Sequence, residues 1–189
     1  MTDLIFLTGM SRAGKTVIGQ ALAKKLKKVF FDTDSELEKN CKCKIPVLYS
    51  KQGEKKFRKE EFKIFHNIIL ATQNAVISTG GGFADNPEAL HLLKNYKQII
   101  LLDTDPLIIF ERIKKEADKN LYYPAFLGSG IKGEEDAKKI FFQIYERRIE
   151  IYKKISSLTV KLQKTGIEQT VNLILQNINA GYKNPQNLF

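Results

Sequence analysis

Eight residues near the N-terminus, Gly9-Met10-Ser11-Arg12-Ala13-Gly14-Lys15-Thr16, constrain this chain more than any other stretch. They follow an apolar run at residues 4–7 with strand character. They precede residues 17–26, where Val17, Ile18, Ala21, Leu22 and Leu26 recur at helical spacing. The pattern is G-x-x-x-x-G-K-[ST], the P-loop, in the strand–loop–helix context that its chemistry needs. Phosphate oxygens need many donors within a few ångströms. A nest of backbone N–H groups at a helix N-terminus supplies them. On this reading Ser11, Arg12, Ala13, Gly14, Lys15 and Thr16 bind nucleotide phosphate, with Lys15 on the β- and γ-phosphates and the Thr16 hydroxyl on Mg²⁺. A chance match is expected in roughly one chain of this length in a hundred, or fewer, so an ordinary glycine-rich turn is the weaker explanation.

The rest of the chain alternates short apolar runs with helical patterns, which predicts an α/β fold with a parallel sheet wrapped by helices. Residues 29–31 read as a strand ending in Asp32-Thr33-Asp34. Carboxylates just past the carboxyl end of a parallel strand sit beside the P-loop crevice. One can hold Mg²⁺ through water and the other can face a substrate hydroxyl, while either could instead cap a helix starting near Ser35. Residues 35–49 read as helix, with Pro46 starting a second one, a turn at Gly53-Glu54, and a long helix from about 57 to 72 that carries Arg58. Residues 75–79 form a strand candidate ending in Gly80-Gly81-Gly82, which lets a ligand approach the backbone closely.

The strand at 98–102 is closed by Asp103-Thr104-Asp105-Pro106 and followed by a helix through Ile113. Residues 114–133 are polar, contain glycine and include Tyr122-Tyr123-Pro124, the character of a mobile lid over a nucleotide. Residues 134–155 read as a helix carrying Arg147 and Arg148, residues 158–162 as the last strand, and about 167–178 as a final helix. The tail from Asn179 reads as disordered.

Composition excludes several function classes. The chain has 189 residues, enough for one domain, and a net charge of +10. Its lysines are spread along the chain rather than concentrated and interleaved with aromatics, so a nucleic-acid partner is not expected. No apolar stretch is long enough for a membrane span, and the N-terminus runs straight into a strand, so a cytoplasmic protein without membrane association is expected. Cys41 and Cys43 are too close for an unstrained disulfide and have no zinc-ligand company.

These residues together resemble the shikimate kinase family, small P-loop proteins similar to the nucleoside-monophosphate kinases. The resemblance covers about residues 5–178 and is carried by the P-loop, Asp32-Thr33-Asp34, Gly53-Glu54…Phe57-Arg58…Glu61, Ser78 to Gly82, and the R-x-x-x-Y stretch from Arg148 to Tyr152. It implies a five-stranded parallel sheet in order 2-3-1-4-5 and one kinase domain over residues 1–180. Within it would lie substrate-binding helices at about 35–62 and a lid at about 114–133, with 181–189 as a tail. It implies transfer of the ATP γ-phosphoryl group to the 3-hydroxyl of shikimate by a monomer. Asp34 would meet the attacking hydroxyl as base. Arg58 and Arg148 would clamp the substrate carboxylate, Gly80, Gly81 and Gly82 would contact the ring, and Arg112 would stack on adenine. Thr16 and Asp32 would hold Mg²⁺.

Two positions depart from the family pattern. Its lid usually reads R-P-L-L, where this chain has Tyr123-Pro124-Ala125-Phe126, and its P-loop usually has a glycine at Arg12. Arg12 is therefore read as a catalytic residue supplying the charge that Tyr123 cannot; the alternatives are a lid lysine such as Lys119 or Lys132, or an Arg12 that points to solvent where the glycine was dispensable. The competing readings are a kinase of another small hydroxylated acid such as gluconate, and a catalytically weakened relative that only binds nucleotide.

Overall fold

The computed structural model describes residues 3–120, 123–128, 130–162 and 166–180. Tyr122 and the tail at 181–189 lie outside the described residues. The strands are β1 (Asp3–Thr8), β2 (Val29–Asp32), β3 (Asn74–Ser78), β4 (Ile99–Thr104) and β5 (Leu158–Leu162). They form one parallel sheet in the order β2-β3-β1-β4-β5, as the resemblance implied. β1 is central because Leu4 to Leu7 are apolar, and Leu4 to Thr8 are all buried. Its register pairs Ile5 with Val76 of β3 and Leu7 with Ile100 of β4.

The helices are α1 (Lys15–Leu26), α2 (Thr33–Cys41), α3 (Ile45–Ala71), α4 (Pro87–Leu93), α5 (Pro106–Asn120), α6 (Glu134–Ile155) and α7 (Ile167–Asn179). Strand alternation splits the core between the two faces of the sheet. Ile5, Leu7, Val76, Ile100 and Leu102 pack with α1 and α7 through Ile18, Leu22, Val171 and Ile174. Leu4, Phe6, Ala75 and Ile77 pack against α3 and α4 through Ile64, Phe65 and Leu93. A third cluster joins α5 to α6 through Phe110, Ile113, Phe141 and Tyr152. Among the described residues no helix is long and apolar enough to cross a membrane.

Two boundaries differ from the sequence reading. α2 begins at Thr33, so Asp34 lies in its first turn rather than in a loop before Ser35. α3 is interrupted where the turn at Gly53-Glu54 was expected: the chain leaves helical geometry at Gly53, with φ 74° and ψ 165°, between two helical halves. Most residues avoid that conformation and glycine adopts it readily. α5 does not stop at Ile113 but continues to Asn120, so the stretch read as a lid from residue 114 begins as helix. The reason is packing: Ala117 continues the buried stripe of Ile109, Phe110 and Ile113 at i+4 from Ile113.

Candidate active site

Most residues assigned a role from the sequence line a crevice at the carboxyl ends of β1, β2 and β3; Ala13, Gly80 and Arg148 do not, and Ala13 and Arg148 are buried beside it. Two cavities of about 540 and 550 Å³ adjoin there. The P-loop residues Gly14, Lys15 and Thr16 line the second, together with Asp32 and Arg112. Arg58, Glu61, Tyr49, Phe57, Gly82 and Phe126 line the first. Asp34 lines both.

Lys15 is buried, and its ammonium is satisfied by the loop itself: Nζ donates to the carbonyls of Gly9 at 2.9 Å and Met10 at 2.7 Å. Burial lowers its pKa to about 8 against the opposing charges of Asp34 and Asp32, with Arg148 and Arg12 adding to the lowering. The Thr16 hydroxyl donates to Asp32 Oδ2 at 2.7 Å. Asp32 also caps α2, with its Oδ1 accepting from Ser35 N at 3.1 Å. Capping therefore occupies one aspartate and leaves Asp34 to face the crevice. Burial raises the pKa of Asp34 to about 7, helped by Glu61 and Asp32 and opposed by Lys15. A carboxylate so tuned is a stronger proton acceptor than an exposed one.

The turn after β3 brings the two cavities together. Gly80 N donates to the buried Thr33 hydroxyl at 2.9 Å, and a Cβ on Gly80 would stand 2.5 Å from Asp34 Oδ1. A Cβ on Gly81 would collide with the backbone nitrogen of Ser11 in the P-loop. Glycine is needed at Gly81 because the turn rests against the P-loop backbone, while a side chain at Gly80 would displace the Asp34 carboxylate. Tyr152, fully buried, fixes this turn by donating to Gly81 O at 3.2 Å and accepting from Ala84 N at 3.1 Å.

Two guanidiniums converge below the turn. A Cβ on Gly82 would lie 3.0 Å from Arg58 Nη2 and 3.3 Å from Arg148 Nη2. Each arginine is held by carboxylates. Arg58 Nη1 donates to both oxygens of Glu61, at 3.1 and 3.0 Å. Arg148 donates to Asp85 Oδ2 through Nε at 3.1 Å and Nη2 at 2.7 Å, and Arg147 donates to Asp85 Oδ1 at 2.6 Å. Burial favours the neutral form of Asp85, but hydrogen bonds from Arg147 and Arg148 and their charges outweigh it and hold the carboxyl below its ordinary range. Phe126 caps Arg148, whose guanidinium carbon lies 5.3 Å from the ring centre.

Sequence reasoning missed Asp85, Asn86 and Glu116. Asp85 is one end of an ion pair spanning 63 positions, so no local pattern announces it. Asn86 ties Glu61 to the backbone of Arg58, with its side-chain amide at 2.9 Å from Glu61 Oε2 and 2.8 Å from Arg58 O. Its place just before Pro87, at the start of the helix after the glycine turn, was the signal available. Arg112, implied to stack on adenine, lines the second cavity, but its Nη1 donates to Arg12 O at 2.7 Å. Arg12 pairs with Glu116 on α5. Tyr123 packs onto the apolar cluster between α5 and α6, without a charge to offer.

A family model described as Shikimate kinase matches residues 11–179. A shikimate kinase of Enterococcus faecalis is 33% identical over 176 residues, covering 93% of this chain and 98% of that protein. One from Burkholderia lata is 29% identical over 174 residues, 92% of this chain and 89% of the relative. Among solved structures, the shikimate kinase of Acinetobacter baumannii in complex with shikimate superimposes with a TM-score of 0.81 at 25% identity, covering 96% of this chain and 95% of that one. The Aquifex aeolicus shikimate kinase gives 0.76 at 29% identity, with 95% and 98% covered.

Proposed function

The chain belongs to the shikimate kinase family, and from that premise we propose that it transfers the γ-phosphoryl group of ATP to the 3-hydroxyl of shikimate. The observation that carries the acceptor assignment is the convergence of Arg58 and the buried Arg148 on Gly82, where Arg58 and Gly82 line a cavity that shares Asp34 with the P-loop cavity. Two guanidinium forks with a proton acceptor nearby suit a small hydroxylated carboxylate.

In this reading the carboxylate of shikimate meets Arg58 and Arg148, whose counter-carboxylates Glu61 and Asp85 set the forks in advance. The ring rests on Gly80, Gly81 and Gly82. Asp34 takes the proton of the 3-hydroxyl, whose oxygen forms a bond to the γ-phosphorus as the bond to the β,γ-bridging oxygen breaks and ADP leaves. Lys15 exchanges the Gly9 and Met10 carbonyls for the β- and γ-phosphate oxygens. Ser11, Ala13 and Gly14 offer backbone donors, and Arg112 borders the nucleotide. Arg12 adds positive charge at the transfer point.

The donor set fits Mg²⁺. Among the described residues no group of three or more His, Cys, Asp or Glu is placed to hold a metal alone. The adjoining Thr16 hydroxyl and Asp32 carboxylate are the hard oxygens expected for an ion carried largely by nucleotide phosphates and water. Thr16 and Asp32 would hold it, and the ion supplies neutralisation of the phosphate charge.

The protein works as a monomeric cytoplasmic domain over residues 1–180, with the segment after α5 as its lid and without nucleic-acid or membrane partners. The test is ADP release from Mg·ATP with and without shikimate. Shikimate-dependent release is expected. Nucleotide binding without any such release would exclude the kinase reading.

A further inference from the structure

We infer that Arg12 is a catalytic residue for the γ-phosphoryl group and that Glu116 holds it in the ligand-free protein, so that Glu116 and the phosphate compete for one guanidinium. The inference rests on the kinase reading only for the identity of the incoming anion.

Six described residues line both cavities: Ser11, Arg12, Asp34, Ser35, Gly81 and Glu116. They mark the junction that a phosphoryl group crosses in passing from nucleotide to acceptor. Arg12 is the one cation among the six, and its charge reaches far enough to depress the pKa of Lys15. Asp34 and Glu116 are the anions there. With both unpaired, an incoming polyphosphate would meet net negative charge at the point where its own charge must be stabilised.

Arg12 also has backbone φ 64°, in the left-handed region that side chains with a Cβ disfavour. The other two non-glycine residues with positive φ among the described residues, Lys27 and Lys42, close helices α1 and α2, where that conformation is the ordinary way to end a helix. Arg12 ends no helix. Its carbonyl is fixed by the hydrogen bond from Arg112, so the strained backbone is held in place by a contact that does not involve its own side chain. Strain maintained beside a reacting centre points to use of the side chain.

The side chains of the Arg12–Glu116 pair are 46% and 36% exposed. Such a pair is weakly held in water. A phosphate dianion is a stronger partner for a guanidinium fork than one half-exposed carboxylate. Exchange therefore delivers positive charge to the γ-phosphate only when that group is present. Tyr123, on the segment facing this junction, brings no charge.

The test measures binding of ADP and of a non-hydrolysable ATP analogue, both with Mg²⁺ and without acceptor, to the wild type, Arg12→Gly, Arg12→Lys, Glu116→Gln and the Arg12→Gly/Glu116→Gln double variant. Glycine suits the positive φ, so Arg12→Gly relieves strain and folding is preserved. Arg12→Gly should weaken the analogue by about tenfold, the loss of one charge-assisted contact, and leave ADP unchanged. Arg12→Lys should recover part of that loss. Glu116→Gln should tighten the analogue several-fold, and that gain should vanish in the double variant. Turnover of Arg12→Gly should fall roughly 10²-fold or more. Equal losses for ADP and the analogue would make Arg12 structural. A Glu116→Gln gain that persists without Arg12 would show general repulsion rather than exchange. Because no acceptor is present, the binding pattern stands or falls independently of whether shikimate is the substrate.

Discussion

Asp34 sits in the first turn of α2, beside Gly80 and within the fields of Glu61, Asp32 and Lys15. If it accepts the hydroxyl proton, Asp34→Asn should lower kcat by roughly 10²-fold or more, the range for a positioned general base. The dissociation constant of the ATP analogue should change little. Near wild-type turnover in a steady-state assay would remove Asp34 from the chemistry. Arg58 gives a second residue-scale outcome. Its guanidinium is prepaired with Glu61, so Arg58→Ala should weaken shikimate binding by about 2–3 kcal/mol, the scale of a charge-assisted hydrogen bond. Nucleotide binding, read by calorimetry, should be nearly untouched. Comparable weakening of both ligands would mean that Arg58 supports the fold rather than the substrate.

At the scale of elements, the turn after β3 is the joint of the site. It touches the P-loop through Gly81, α2 through Gly80, and α6 through Tyr152. Gly81→Ala should therefore weaken the ATP analogue, although Gly81 lies outside the P-loop, because the added methyl meets the Ser11 backbone. An unchanged analogue affinity would show that the turn yields instead. The same turn carries Asp85, and here pH enters. Its folded-state pKa lies below the unfolded value, so between the two the unfolded chain binds more protons. Stability contributed by Asp85 is then fully present above its unfolded pKa and lost as pH falls through the folded pKa. Asp85→Asn should reduce stability at neutral pH and flatten its decline below about pH 4, the ordinary aspartate range. Urea unfolding at neutral and acid pH measures both. A parallel drop at every pH would contradict the ion-pair account.

For the whole molecule, the sheet and both helical layers meet at the crevice, so ligand binding should couple to global stability. A nucleotide analogue at a hundred times its dissociation constant adds about 2.7 kcal/mol to the folded state. For a domain of this length that corresponds to a rise in Tm of about 5–11 °C. Asp34→Asn should retain the rise, because it removes a proton acceptor and leaves the phosphate cradle intact. A fluorescence melting curve without any rise would show that the nucleotide site is not formed in the folded protein.

The sequence by itself determined the P-loop, the alternation of strands and helices, and the residue types at Asp34, Arg58 and Arg148. Local spacing carries those, since strand period, helix period and a glycine loop are short-range patterns. It also carried β5 and α6 to their observed bounds at Leu158–Leu162 and Glu134–Ile155. Tertiary structure decided which aspartate capped α2 and which lines both cavities, because only the meeting of Thr16 with Asp32 and of Gly80 with Asp34 separates them. It decided where α5 ends, since burial of Ala117 outweighed the polar character of residues 114–120. It alone paired Arg148 with Asp85 and Arg12 with Glu116. Such pairs join residues far apart in the chain, and no local pattern encodes a partner that only the crossing of strands and helices brings within reach.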